Sequence, residues 1–349
     1  MARIDDVARL AGVSTATVSR ALRGLPEVST ATRSRVLDAA SRLGYVASPS
    51  ASRLAGGKTR AVAVVVPRIT RWFFATVVEA AEEVLHDAGY DLLLYNFGGR
   101  EQARRQLLRL GALYKRVDAV MLIATPLDPD DLAAVARLAI PGVTVSSGTP
   151  VPGWSSVRID DVAAGRAATE HLIALGHRRI AYITGNAADE LAFTTHLCRQ
   201  RGYEDALRAI GVEPDAELWV EGDFTVAGGA RATAELMRRG RSPTAIFAAC
   251  DEMATGALAS LRRAGLRVPE DISVVGIDDH DIAGAVGLTT VAQPVAEQGR
   301  LAAAVLLELL RIGTVPSATC AVLPTRLVVR DSTAAPGRWA RGSVVRTTN

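Results

Sequence analysis

Ile4-Asp-Asp-Val-Ala-Arg-Leu-Ala-Gly-Val-Ser14, followed by Thr17-Val-Ser-Arg20, holds two short helical patterns that meet at Gly12. Val7, Leu10 and Ala11 recur at helical spacing and Gly12 supplies a tight turn. Ser14 can then cap a second helix that carries Val18, Ala21 and Leu22 on its apolar side. Helix, Gly-containing turn, helix is the pattern of a helix-turn-helix. A third helix is expected to start near Ser29, to turn Val36, Leu37, Ala40 and Leu43 inward, and to stop at Gly44. Three such helices make a small all-α core.

Charge is distributed in the same sense. The 349 residues carry a net +3, yet residues 1–60 hold ten Arg or Lys against Asp5, Asp6, Glu27 and Asp38, a local +6 that leaves −3 for residues 61–349. A basic excess that coincides with a helix-turn-helix points to DNA, where an isolated one would be a solvated face. The longest apolar run, Ala61 to Val66, is far too short to span a bilayer. Met1 leads straight into a helix pattern without an export-leader signature, so the expected location is the cytoplasm. Cys198, Cys250 and Cys320 are odd in number and lack paired metal spacing, which fits reduced core thiols, with no metal and no cofactor expected.

From Ala61 the pattern changes to short apolar strands followed by amphipathic helices. Strands are expected at Ala61 to Val66, Tyr90 to Tyr95, Ala119 to Ile123, Gly142 to Val145, Ile180 to Ile183, Ala245 to Ala248 and Ser273 to Gly276. A helix is expected from Thr76 to Ala88, ended by Gly89. The alternation implies doubly wound parallel sheets. No phosphate loop or Gly-x-Gly-x-x-Gly accompanies the first turns, which argues against a nucleotide enzyme.

The head motifs, with Val28-Ser29 and Leu43-Gly-Tyr45 after them, resemble the signature of the lac repressor family of bacterial transcription regulators. The resemblance continues through Trp72-Phe-Phe74, Asp160-Asp161, Leu175-Gly-His-Arg-Arg-Ile180, Arg199-Gln-Arg-Gly-Tyr203, Asp251-Glu-Met-Ala254 and Gln293-Pro294 to Arg330-Asp-Ser332. It implies a helix-turn-helix head at 1–48, a hinge helix and linker at 49–60, and an α/β bilobal body at 61–332, similar to periplasmic sugar-binding proteins. Lobe one would hold about 61–159 and 291–322, lobe two about 160–290 and 323–332, and 333–349 reads as a disordered tail.

By the same resemblance, Thr15, Ala16 and Arg20 face the major groove. Ser14, Thr17, Ser19 and Ser29 offer hydroxyls to phosphates, and capping is their structural alternative. Arg23 stands where Asn is common and could add a phosphate or base contact. Arg3 stands where a capping Thr is usual, leaving Asp5 and Asp6 to favour the first helix dipole. In the hinge, Pro49 can start a helix capped by Ser48, with Leu54 as a minor-groove wedge and Ala51 packed beside it.

The resemblance nominates Arg199 and Asp278 as the principal effector pair, Phe73 and Phe224 as aromatic covers, and Thr195 and Gln293 as polar neighbours. Their structural alternatives are helix cap for Asp278, core for Phe224 and surface for Arg199. Ser146 and Cys250 replace a frequent Asp and a frequent Asn. Arg68-Ile-Thr-Arg-Trp72 replaces a turn that tends to Asp-Ile-Ser-Asn-Pro, so Trp72 can stack on a ligand and Arg71 can reach an acidic one.

The expectation is a repressor of carbohydrate-uptake or catabolism genes. It would bind a pseudo-palindromic operator in double-stranded DNA as a homodimer, with tetramers left open, and answer to a small-molecule effector. Two rivals share the body: a solute receptor, which would need an export leader in place of the basic head, and an enzyme on a doubly wound fold. For the enzyme, none of His86, His171, His177, His196 and His280 has a partner of catalytic or metal spacing.

Overall fold

The computed structural model describes residues 2–22, 24–45, 59–109, 113–148, 150–185, 194–240, 243–312 and 318–337. The chain divides into two units, Met1–Ala61 with Lys115–Asp118, and Val62–Tyr114 with Ala119–Asn349.

The first unit contains α1 (Ile4–Ala11), α2 (Thr15–Leu22) and α3 (Thr30–Arg42). With Arg3 in place of a capping hydroxyl, the Asp6 carboxylate closes the first turn by accepting the Arg3 amide at 2.9 Å. Gly12 leaves α1 at φ 65°, a left-handed value that favours glycine. Ser14 and Ser29 cap α2 and α3, accepting the amides of Thr17 at 3.2 Å and Thr32 at 3.3 Å. Val7, Ala8, Ala11, Val18, Ala21, Val28, Val36, Ala39 and Ala40 form the core. Three expected core residues are corrected: Leu10, Leu37 and Leu43 are 44%, 50% and 36% exposed. Small residues let the helices approach closely, and Ala39 takes the inward place assigned to Leu37.

The second unit is built on two six-stranded sheets. The first contains β1 (Ala61–Val66), β2 (Asp91–Asn96), β3 (Ala119–Ile123), β4 (Gly142–Val145), β5 (Ser155–Ile159) and β11 (Cys320–Leu323), in spatial order β11-β5-β4-β3-β1-β2. The second contains β6 (Ile180–Thr184), β7 (Trp219–Glu221), β8 (Ala245–Ala248), β9 (Ser273–Asp278), β10 (Thr289–Ala292) and β12 (Arg326–Val328), in order β12-β10-β9-β8-β6-β7. The pairings along β11-β5-β4-β3-β1 and along β10-β9-β8-β6-β7 are parallel, and β12 runs antiparallel to β10. The fully buried Val-rich run of β1 fits a strand covered on both faces.

The chain passes between sheets after Ile159, after Ala292 and after Leu323. Residues 291–292 and 323 therefore sit in the opposite sheet from the one expected, because β10 pairs with β9 through Ala292 and β11 pairs with β5 through Leu323. The expected tail is corrected at its start, where residues 333–337 lie against lobe two, and 338–349 lie outside the described residues. Thr333 Oγ1 lies 2.9 Å from His171 Nε2, the Ala334 amide donates to Ser273 Oγ at 3.0 Å, and the Ala334 carbonyl is 2.8 Å from His177 Nε2. Of the cysteines only Cys250 is a core thiol, whereas Cys198 is half-buried and Cys320 exposed on edge strand β11. Among the described residues no helix is long and apolar enough to cross a membrane, and no His, Cys, Asp and Glu group could hold a metal.

The helices named below are α4 (Trp72–Asp87), α7 (Asp161–Ala174), α8 (Thr195–Ala209), α10 (Asp251–Arg263) and α12 (Val295–Ile312), in chain-order numbering. α7 and α8 touch through glycines. A Cβ on Gly165 would stand 2.2 Å from the Arg199 carbonyl oxygen, and one on Gly202 2.1 Å from that of Val162. Because the obstructing atoms are backbone, Gly165→Val is expected to push α8 away and to cost roughly 1–3 kcal/mol. Urea unfolding of the variant measures the loss.

Candidate functional site

The strand order sets the chemistry of the cleft. In open parallel sheets the C-terminal strand ends converge on a crevice, and here both sheets direct those ends into one cavity of about 120 Å³. Ala124 follows β3, Ser146 follows β4, Asp223 and Phe224 follow β7, Cys250 follows β8, and Asp278 ends β9. Six non-glycine residues at these ends have left-handed φ values: Ala124 (39°), Ser146 (47°), Asp223 (57°), Phe224 (53°), Asp278 (135°) and Asp279 (58°). Backbone strain concentrated at one crevice marks a place where position outweighs local stability.

All nine effector residues nominated from the sequence line this one cavity: Trp72, Phe73, Ser146, Thr195, Arg199, Phe224, Cys250, Asp278 and Gln293. Arg199, on α8, is buried. Its Nε donates to Asp161 Oδ1 at 2.9 Å, its Nη1 donates to the Ala249 carbonyl, and Nη1 lies 3.6 Å from Asp278 Oδ1. Burial alone would push this guanidinium down, but Asp161 and Asp278 outweigh it and hold its pKa above the ordinary value. Arg199 is therefore a fixed cation between two carboxylates, not a surface residue.

Asp278 is pushed up by burial, against the pull of Arg199 and the Gln293 amide. Its neighbour Asp251, fully buried on α10, is pushed up by burial and by the Asp278 charge, although it accepts Thr290 Oγ1 at 2.7 Å and the His280 amide at 2.9 Å. Burial likewise raises Cys250, so its thiol stays protonated. The functional consequence concerns Asp278. A ligand that donates to this carboxylate binds the ionised form, so its affinity is full above the raised pKa and falls as pH drops through it. An ordinary Asp would stay flat down to about pH 4. Effector affinity by calorimetry between pH 8 and pH 5 is expected to weaken toward the acid end.

Lobe one supplies an aromatic rim. α4 begins at Trp72, four residues before the expected start at Thr76, and this places Trp72, Phe73 and Phe74 in its first turn at the cavity. Trp72 stacks on His280 of lobe two with ring centroids 4.7 Å apart. Arg71 Nη1 lies 3.9 Å from Glu252 Oε2, so the cation proposed for an acidic ligand already faces a carboxylate.

In the other unit, Thr15, Ala16 and Arg20 are exposed along α2, while Thr17 and Ser19 are half-buried. Thr17 Oγ1 lies 2.9 Å from Ser14 Oγ, and Ser29 Oγ lies 3.0 Å from Thr32 Oγ1, so these hydroxyls also serve helix starts. The Arg20 guanidinium Nε lies 3.7 Å from Glu27 Oε2. Arg23, Ala51, Leu54 and the rest of the hinge through Lys58 lie outside the described residues.

Comparison with known proteins agrees with this arrangement. Residues 3–48 match the model of bacterial regulatory proteins of the lacI family, and residues 169–333 match that of the periplasmic binding protein-like domain. The HTH-type transcriptional repressor CytR of Escherichia coli (strain K12) is 35% identical over 336 residues, 96% of this chain and 97% of its own. The chain belongs to the lacI family. It is a DNA-binding transcriptional regulator.

Solved structures of lacI-family regulators share the fold. The lac repressor dimer bound to operator and the anti-inducer ONPF aligns at TM-score 0.82 and 30% identity, covering 96% of this chain and 99% of that one. The transcriptional regulator CelR in complex with cellobiose aligns at TM-score 0.70 and 36% identity, covering 95% and 100%.

Within this lacI-family regulator, sequence reasoning missed Asp161 as the Arg199 partner, Glu252 as the Arg71 partner, and Gln298. The last carried a readable signal: Gln298 interrupts the buried stripe Val295, Gly299, Ala302, Ala303 and Leu306 of α12, where a polar residue needs a partner.

Proposed function

We propose that the protein is an effector-controlled repressor that binds a pseudo-palindromic operator as a homodimer in the cytoplasm. Its cleft takes a small polyhydroxy ligand, a sugar or sugar derivative, and the controlled genes serve carbohydrate uptake or catabolism. The observation that carries this reading is the buried pair of Arg199, on α8, and Asp278, at the C-terminal end of β9. It offers a fixed cation and a fixed acceptor to neighbouring hydroxyls beneath an aromatic rim. The operator and anti-inducer in the lac repressor structure and the cellobiose in the CelR structure support it.

In this reading residues 1–48 read DNA, 49–60 form the hinge, and 61–332 bind effector and dimerise. Thr15, Ala16 and Arg20 face base edges, Ser14, Thr17, Ser19, Arg23 and Ser29 position the backbone, and Leu54 with Ala51 wedges the minor groove. No catalytic role is assigned to any residue. Ligand changes operator affinity only to the extent that it binds the two states unequally. The test is a gel shift on DNA upstream of the protein's own gene and its neighbours, at stated salt, with and without a panel of sugars. Specific binding altered by one sugar supports the proposal. Binding no better than to random DNA would contradict it and favour a solute receptor.

A further inference from the structure

The cleft contains a directed line of hydrogen bonds that joins its two walls. Asp278 Oδ1 accepts from Gln293 Nε2 at 2.6 Å, Gln293 Oε1 accepts from Gln298 Nε2 at 2.9 Å, and Gln298 Oε1 accepts from Ser146 Oγ at 2.8 Å. Gln298 is fully buried, and Gln293 and Asp278 are each 7% exposed. One end of the line is on lobe two and the other on lobe one, and both end residues line the cavity.

The polarity of the line is not free. An ionised carboxylate only accepts, so Gln293 must turn its NH₂ toward Asp278, where the Arg199 cation stands 3.6 Å away. The Gln293 carbonyl then faces Gln298, whose NH₂ is used there, and the Gln298 carbonyl is left for Ser146. A serine hydroxyl has one hydrogen, and Ser146 gives it to Gln298. Toward the cavity Ser146 therefore presents lone pairs.

On the rest of the wall Asp161, Asp223, Glu252 and Asp278 stand with Arg68, Arg71 and Arg199, and Asp223 accepts from Arg231 Nη2 at 2.8 Å. Arg199 is engaged by Asp161, Asp278 and the Ala249 carbonyl, Arg71 faces Glu252, and Arg68 is exposed. Resting on the effector-site reading above, we propose that Gln298 fixes Ser146 as an acceptor. Ser146 on lobe one and Asp278 on lobe two then both meet the effector as acceptors, and the cleft selects a donor-rich, neutral or cationic ligand over its phosphorylated or carboxylate counterpart. Gln298 is a positioning residue: it sets the polarity of Ser146 without lining the cavity itself.

The experiment is calorimetry on the full-length protein with matched probes: glucose, glucosamine, gluconate and glucose 6-phosphate, then ribose and ribose 5-phosphate. The neutral or amino member of a set is expected to bind, with its phosphate or acid at least about tenfold weaker, because like charges brought into contact cost at least that much. Tightest binding by a phosphate or an acid overturns the inference. Gln298→Met frees the Ser146 hydrogen, and Ser146→Ala removes the lobe-one acceptor without touching α12. Each is expected to narrow the neutral-to-phosphate ratio by about threefold or more, a change that loss of folded protein alone would not produce. An unchanged ratio in both variants overturns the role of Gln298. If no probe binds the parent protein, the inference falls together with the effector-site reading, while operator binding in a gel shift would leave the regulator reading intact.

Discussion

Arg199→Met is expected to abolish the response to effector, weakening effector binding by more than about 100-fold, and to destabilise the body by about 3–5 kcal/mol. The size follows from what the guanidinium holds apart. Asp161 and Asp278 face it from two directions and the Ala249 carbonyl from a third, all in a buried setting. Without it two carboxylates share a cavity with no cation between them, and removing one partner of a buried ionic group costs far more than the pair contributes net. Urea unfolding measures the stability loss, and operator binding with saturating effector measures the lost response. Operator affinity without effector is expected to stay near that of the parent protein. A variant that still released or gained operator on adding ligand would show that the Arg199–Asp278 pair is not the effector site.

Arg20→Ala is expected to carry the largest effect on DNA. An arginine fork on guanine is worth about 1–3 kcal/mol of discrimination, and a symmetric dimer uses it twice, so specific affinity should fall by about 2–6 kcal/mol. Non-specific binding, which comes from phosphate contacts, should change much less. Arg20 must leave Glu27 to reach a base, but both side chains are largely exposed and a pair of that kind is worth about 0–1 kcal/mol, so release is cheap. Anisotropy titrations of operator and random duplex at one salt concentration separate the two effects. Equal losses on both duplexes would make Arg20 a phosphate contact.

The helix-turn-helix was legible because its signals are local. Gly12 at positive φ, the caps at Ser14 and Ser29, and the small residues of the core all act within a few positions of one another. Leu10, Leu37 and Leu43 misled because periodicity identifies a helix but not the width of its buried stripe, and alanine-rich contacts leave no room for larger residues. In the body, apolar strands such as β1 and β3 were readable. β7 and β12 carry only three residues each, too few for a pattern, and the alternating burial of β5 and β11 looks like loop.

The cavity was legible as a set of residues but not as a network. Nine nominated positions converge on one crevice, yet nothing local in the sequence joins Ser146 to Gln298 or Arg199 to Asp161, because these contacts span 152 and 38 residues. The held segment at 333–337 escaped for the same reason, since its partners His171, His177 and Ser273 lie far upstream.

The most direct test of a ligand-responsive DNA-binding regulator is a titration of the full-length protein against its own upstream DNA at physiological salt, with and without the sugar that binds most tightly by calorimetry. The expected result is saturable binding to a two-fold site, at least about 10³-fold tighter than to random duplex, with a midpoint that the sugar moves. Equal affinity for both duplexes would contradict the DNA-reading role. A bound sugar that left the midpoint unmoved would contradict the coupling between cleft and operator.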